Sequence, residues 1–180
     1  MEARGDRLNP SMRTLKKILG VLFLFSLIGC DHASKHMAKT VFEGRAPMAL
    51  ISGVLDLTYA ENRGVAFSLL TELPHGVSRP LLVTMNLIAV AVLFWLGRRS
   101  GWRGPLDKLA FVLVAAGALG NAFDRAVRGY VVDFVHLHHW PVFNVADVLI
   151  VVGYGLFAIS HWRRVRPPPA VVGAVPPTDS

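Results

Sequence analysis

One cysteine in 180 residues, Cys30, excludes a disulfide within the chain. No Cys/His spacing of the kind that cages a metal accompanies it. Histidine clusters only in "HLHHW", where His136, His138 and His139 read as solvated loop residues, so no metal and no cofactor is expected. Charge is scarce: Asp, Glu, Lys and Arg make up 17% of the chain, against about 25% in an ordinary soluble domain. Amphipathic helical stretches are lacking too, so nothing would cover the core of a soluble helical domain. No internal repeat occurs. The net charge of +7 is not laid out as a basic stripe with interleaved aromatics, which argues against nucleic acid as a partner.

What is abundant is apolar sequence, at 53% of residues and a mean hydropathy of +0.45. It falls in four blocks: Ile18–Cys30, Leu81–Gly97, Leu109–Phe123 and Val145–Ile159. A spanning helix needs about 20 mostly apolar residues, and each block reaches that length only by including polar residues at its edge. Four transmembrane helices are expected. Arg4, Arg7, Arg13, Lys16 and Lys17 precede the first block, while Arg98, Arg99, Arg103 and Lys108 fill the connection between the second and third. Arg163, Arg164 and Arg166 follow the fourth, so twelve of the nineteen basic residues lie on one side. By the positive-inside rule, that side and both termini are cytoplasmic. Residues 1–12 read as a flexible extension, 13–163 as the membrane domain and 164–180 as a proline-rich disordered tail. Trp95, Trp102, Trp140 and Trp162 fall near block ends, as interfacial tryptophans do.

Two connections lie on the other side. Within the first, about 41–79, "VLDLTYAENRG" alternates Leu55, Leu57 and Tyr59 with Asp56 and Thr58, the pattern of a half-buried strand. "VAFSLLTEL" then reads as a short helix able to lie in the membrane interface. The second connection, "RAVRGYVVDFVHLHHWPV", is short and rich in β-branched and aromatic residues, with Gly129 a candidate helix terminator.

The polar residues recur at helical spacing. Asp31, Ser34 and Lys35 share one face of the first helix. Asn121, Asp124 and Arg125 repeat that spacing near the end of the third, and Asn144 and Asp147 stand one turn apart at the start of the fourth. A charged side chain deep in a bilayer costs about 2.5–3.5 kcal/mol on insertion scales, so such groups usually face a protein interior and mark function. Asp133 and Asp147 have no cationic neighbour in sequence. Two carboxylates brought to one desolvated spot cannot easily both ionise, and a pair sharing one proton can activate water. An ion pathway and a purely structural polar cluster remain open on the residues alone.

The ordered motifs carry a resemblance. "DHASK" at Asp31–Lys35, "NRGVAF" at Asn62–Phe67, "GNAFDR" ending in Arg125, "VVDF" around Asp133 and "FNVAD" ending in Asp147 resemble those of the signal peptidase II family. The likeness covers about 13–163. It implies four transmembrane helices, a small extracytoplasmic β-rich cradle and a metal-free intramembrane aspartic endopeptidase. Such an enzyme removes the signal peptide of a bacterial prolipoprotein by cleaving before a diacylglyceryl-modified cysteine. By motif, Asp133 and Asp147 would be the catalytic pair. Asp31, Lys35, Asn62, Gly64, Asn121, Asp124, Arg125 and Asn144 would support it or bind substrate. Implied partners are prolipoprotein signal peptides and membrane lipids, with the chain a monomer in the bacterial inner membrane and its site facing outward. The competing readings are a non-catalytic homologue that binds lipoproteins and a small transporter, though a transporter would want polar groups along a path through the membrane.

The chain also carries a look-alike of such a substrate, since "KKILGVLFLFSLIGC" reads like a lipoprotein signal peptide ending at Cys30. Cleavage there would detach the first block from Asp31 and Lys35. Cys30→Ala should therefore retain activity, and mass spectrometry should find the chain uncut between Gly29 and Cys30. A diacylglyceryl group on Cys30 would overturn that reading.

Overall fold

A computed structural model describes residues 10–63, 79–101 and 104–165. Four long helices and a three-stranded sheet follow in the order α1 (Pro10–Phe42), β1 (Met48–Ile51), β2 (Leu55–Asn62), α2 (Arg79–Ser100), α3 (Pro105–Val127), β3 (Val131–Leu137) and α4 (Val145–Val165). The first helix begins inside the segment read as a flexible extension and runs well past its apolar block. Asp31 and Lys35 therefore lie within α1 and not at its end. The expected interfacial helix, Gly64, Trp102 and the proline-rich tail from 166 onward fall outside the described residues, while Arg164 and Val165, expected to be tail, still belong to α4.

α3 is the central element and packs against each of the other three helices. Pro105 occupies its first turn, where a missing N–H costs nothing. Gly129, at φ 85°, ends it by donating its N–H to the Arg125 carbonyl at 3.1 Å. Between these ends Ala110, Val114, Ala115, Ala116 and Ala118 are buried. Large apolar side chains instead face outward: Leu19, Leu22 and Phe25 on α1, Ile88 and Val92 on α2, Val151 and Ile159 on α4. This is the reverse of a soluble protein's polarity, because the buried set includes Asp31, Lys35, Asp107, Asp124 and Asp133. By length and composition α3 and the Val145–Trp162 part of α4 are apolar enough to cross a membrane. In α1 the interior charges at Asp31 and Lys35 interrupt such a run.

The sheet order is β1-β2-β3, antiparallel throughout. The sequence places the cradle within 41–79, but β3 comes from the second connection, a pairing between distant segments that local periodicity does not reveal. Being central, β2 is half-buried along most of its length, and the alternation seen in its sequence does not appear in its burial. Its register with β3 shifts between Leu57 and Ala60, where one extra β2 residue bulges the strand. Beyond the bulge, Ala60 stands opposite Asp133 and Asn62 opposite Val131.

Glycine lets α3 and α4 approach closely in both directions. A Cβ on Gly117 would strike the Ala146 carbonyl oxygen, and one on Gly153 would lie 2.8 Å from the Ala110 carbonyl oxygen. At the other end of the pair the Ser160 hydroxyl donates to Asp107 Oδ1 at 2.6 Å. Gly117→Ala should lower stability by about 1–3 kcal/mol, because the obstructing atom is backbone and cannot rotate away. Gly155→Ala, with nothing within 4 Å of the added carbon, should be neutral or stabilising by up to about 1 kcal/mol. Thermal unfolding in detergent compares the two.

Candidate functional site

The site forms where α1, α3, β3 and the start of α4 meet, and its centre is the Lys35 ammonium. Lys35 is fully buried, and its Nζ lies 2.7 Å from Asp31 Oδ2, 2.8 Å from Asp124 Oδ2 and 2.9 Å from Asn121 Oδ1. Asp31 and Asn121 accept hydrogen bonds from the ammonium and Asp124 faces it as an ion pair, the kind of partnering under which a buried charge is tolerated. Gly120 makes room: a Cβ there would stand 2.9 Å from Asp31 Oδ2.

Each acceptor passes the contact on. Asp31 uses its second oxygen, Oδ1, to accept the Ala146 backbone N–H at 2.9 Å. That amide is one of the unpaired donors in the first turn of α4, where a carboxylate is also favoured by the helix dipole. Asn121 donates from Nδ2 to Asp147 Oδ1 at 2.9 Å. Asp124 accepts from the Arg128 guanidinium at 3.0 Å through Oδ1.

Asn144 is the N-cap of α4 and belongs to a reciprocal capping box. Its Oδ1 accepts the Asp147 N–H at 3.1 Å, and its own backbone N–H reaches Asp147 Oδ2 at 3.3 Å. With the oxygen so used, the amide nitrogen donates to Asp133 Oδ1. Asn62, reaching diagonally from β2 past the bulge, donates to Asp133 Oδ2 at 2.9 Å. Asp133 and Asp147 are thereby brought together, joined through the single side chain of Asn144. Burial first, and the Asp147 charge after it, push the Asp133 carboxyl from the usual 3.8 up to about 7. The two asparagine amides and Lys35 work against that shift without cancelling it.

The two acids differ in surroundings. Asp133 is 1% exposed. Asp147 is half-buried and borders an apolar groove of about 190 Å³ lined by Leu137, Trp140, Phe143, Val148, Val151 and Val152. Arg125 is buried on α3, where its charge acts on Asp147, Asp133 and Asp124. Of the residues singled out from sequence, Asp31, Lys35, Asn62, Asn121, Asp124, Arg125, Asp133, Asn144 and Asp147 all fall in this one region.

Sequence reading missed three contributors. The Ala146 amide could not be found from residue identity, because it acts through backbone. Arg128 stands four residues after Asp124, a spacing that could have shown it. His32 adjoins Asp31 in "DHASK"; its ring lies 5.0 Å from that of Phe123, with nitrogens 3.6 Å from Asp31 and 3.9 Å from Asp124.

Asn144 separates two kinds of loss. Asn144→Ala should forfeit the cap, about 1 kcal/mol, and leave a buried Asp133 oxygen unmet, a further 1–3 kcal/mol roughly. Asn144→Ser restores a capping oxygen but not the donor to Asp133. Unfolding midpoints should therefore rank wild type above serine above alanine; equal midpoints for the two variants would mean that the cap contributes nothing.

A family model described as Signal peptidase (SPase) II matches residues 23–163. The lipoprotein signal peptidase of Haemophilus ducreyi is 39% identical over 138 residues, covering 74% of this chain and 84% of that protein. Its counterpart from Actinobacillus succinogenes is 38% identical over 157 residues, covering 83% and 95%. A solved bacterial membrane enzyme superposes with a TM-score of 0.71 at 23% identity, over 86% of this chain and 94% of that one. A second gives 0.66 at 24% identity, over 79% and 92%. Those superpositions establish the fold. With the family match spanning most of the chain and relatives this similar, the chain belongs to the signal peptidase II family.

Proposed function

We propose that this chain is an intramembrane aspartic endopeptidase that removes the signal peptide of bacterial prolipoproteins, cleaving before a diacylglyceryl-modified cysteine, with Asp133 and Asp147 as its catalytic pair. Family membership supports the reaction class. The observation that carries the pair is Asn144, which holds both carboxylates from one side chain and its own backbone. With one shared proton, one aspartate takes a proton from the attacking water while the other donates to the scissile carbonyl oxygen. The groove beside Asp147 is almost wholly apolar, which suits a signal segment delivered from within the bilayer. Gly64, outside the described residues, keeps its place by motif among the supporting positions.

All four helices cross the membrane in this reading. The outward apolar faces of α1 and α2 support it, as do the arginines closing α2 at Arg98 and Arg99. Both termini are then cytoplasmic and the sheet lies on the outer face of the inner membrane. The chain acts as a monomer, with membrane lipid and the lipidated precursor as its partners.

Asp133→Asn and Asp147→Asn should each abolish turnover of a lipidated precursor, and the double variant should cost little more, because the acids act as a unit. The rate should follow a bell-shaped pH profile whose alkaline limb, near pH 7, belongs to the pair. The sign for stability is separate. Between 3.8 and about 7 the native state holds a proton that the unfolded chain has lost, so stability should fall as pH rises through that window. Asp133→Asn should flatten that slope. Turnover by either asparagine variant would remove that aspartate from the mechanism.

A further inference from the structure

On the sheet, a second cluster has no part in the chemistry above. Asp56 of β2 stands opposite His136 of β3 in the strand register. His138, two residues on, shares the face of His136. Asp56 Oδ2 lies 2.9 Å from His138 Nε2 and 3.7 Å from His136 Nδ1, and the three ligand atoms fall within 4.8 Å of one another. The two imidazoles are stacked with centroids 5.4 Å apart. Backbone pairing holds both histidines. His136 is in the ladder, His138 donates its N–H to the Val54 carbonyl at 3.0 Å, and the chain turns at His139, whose φ is 69°.

A tetrahedral zinc with bonds of about 2.0–2.1 Å separates its ligand atoms by about 3.4 Å. The two approaches to Asp56, 2.9 and 3.7 Å, bracket that value, so small side-chain rotations would close the site. Two imidazoles and one carboxylate on neighbouring strands match the ligand preference of zinc and leave a position for water. A surface hydrogen bond between Asp56 and His138 would need neither the second imidazole nor its stacking at the same oxygen.

We propose that Asp56, His136 and His138 form a binding site for a divalent d-block cation of the zinc type. Strand alternation puts His136 and His138 on the face opposite Asp133. Such an ion would join β2 to β3 just beyond the bulge that positions Asn62 and Asp133, and its contribution would be to sheet rigidity rather than to the carboxylate chemistry.

The test uses the untagged full chain in detergent, stripped with chelator and titrated with zinc chloride by calorimetry. One equivalent should bind with micromolar or tighter affinity, and zinc should raise the unfolding temperature. Cobalt(II) in its place should give the visible absorption of a low-coordinate histidine site. His136→Ala, His138→Ala and Asp56→Asn should each weaken zinc by about tenfold or more, since even losing a residue that merely orients a ligand costs that much. His139→Ala and His161→Ala should bind as wild type does. Metal-free unfolding of Asp56→Asn, matching wild type, shows that its fold is kept. Failure to bind one equivalent, or wild-type affinity in His138→Ala or Asp56→Asn, overturns the proposal. Binding is read without substrate, so it stands or falls apart from the hydrolytic reading.

Discussion

The geometry of the site depends on one buried ammonium. Lys35 is reached by two carboxylates and one amide, and each belongs to a chain of contacts leading elsewhere. Through Asp31 it fixes the first turn of α4; through Asn121 it fixes Asp147; through Asp124 it ties α1 to α3. Removing a single partner from such a set would strand a buried charge, at a cost of about 3–5 kcal/mol. The cluster is therefore an arrangement that holds together or is lost together. Its net effect on stability need not be large; its effect on where α4 begins is direct.

That starting point matters because the terminus of α4 and the candidate site are made of the same atoms. A helix N-terminus leaves donors that something must satisfy. Here Asp31 takes the Ala146 amide and Asn144 takes that of Asp147. The capping box orients the Asp147 carboxylate and, by committing Asn144 Oδ1, turns the amide nitrogen toward Asp133. Close approach of α3 through Gly117 and Gly120 brings Asn121 within reach of both Lys35 and Asp147. Secondary structure, packing and the alignment of two acids are here one constraint.

Much of this was legible in the sequence, for a physical reason. Charged residues at helical spacing inside apolar blocks have few tolerable environments, so Asp31, Lys35, Asn121, Asp124 and Asp147 announced a shared interior. The motif order then supplied Asn62, which composition alone would not single out. What stayed hidden was whatever depends on distant segments pairing or on backbone alone. The third strand of the sheet, the bulge that aims Asn62 at Asp133 and the Ala146 amide are of that kind. By residue order alone the histidines of "HLHHW" read as solvated loop residues. The strand pairing that sets His136 opposite Asp56 is what changes their meaning.

The placement of the positive charge bears on the chemistry proposed. A lysine bonded directly to Asp147 would hold that carboxylate ionised and occupy an oxygen needed for water. Asn121 stands between them, accepting from Lys35 and donating to Asp147, so the acid is oriented by a neutral donor while the ammonium stays one group away. Asp133 is treated alike, held by two neutral amides and no cation, which is why burial prevails and its carboxyl rises to about 7. A pair intended only as a structural ion cluster would gain from direct lysine or arginine contact. In the chemistry proposed, one buried and one half-buried acid positioned by amides would keep the freedom to trade a proton, which is what activation of water by carboxylates requires.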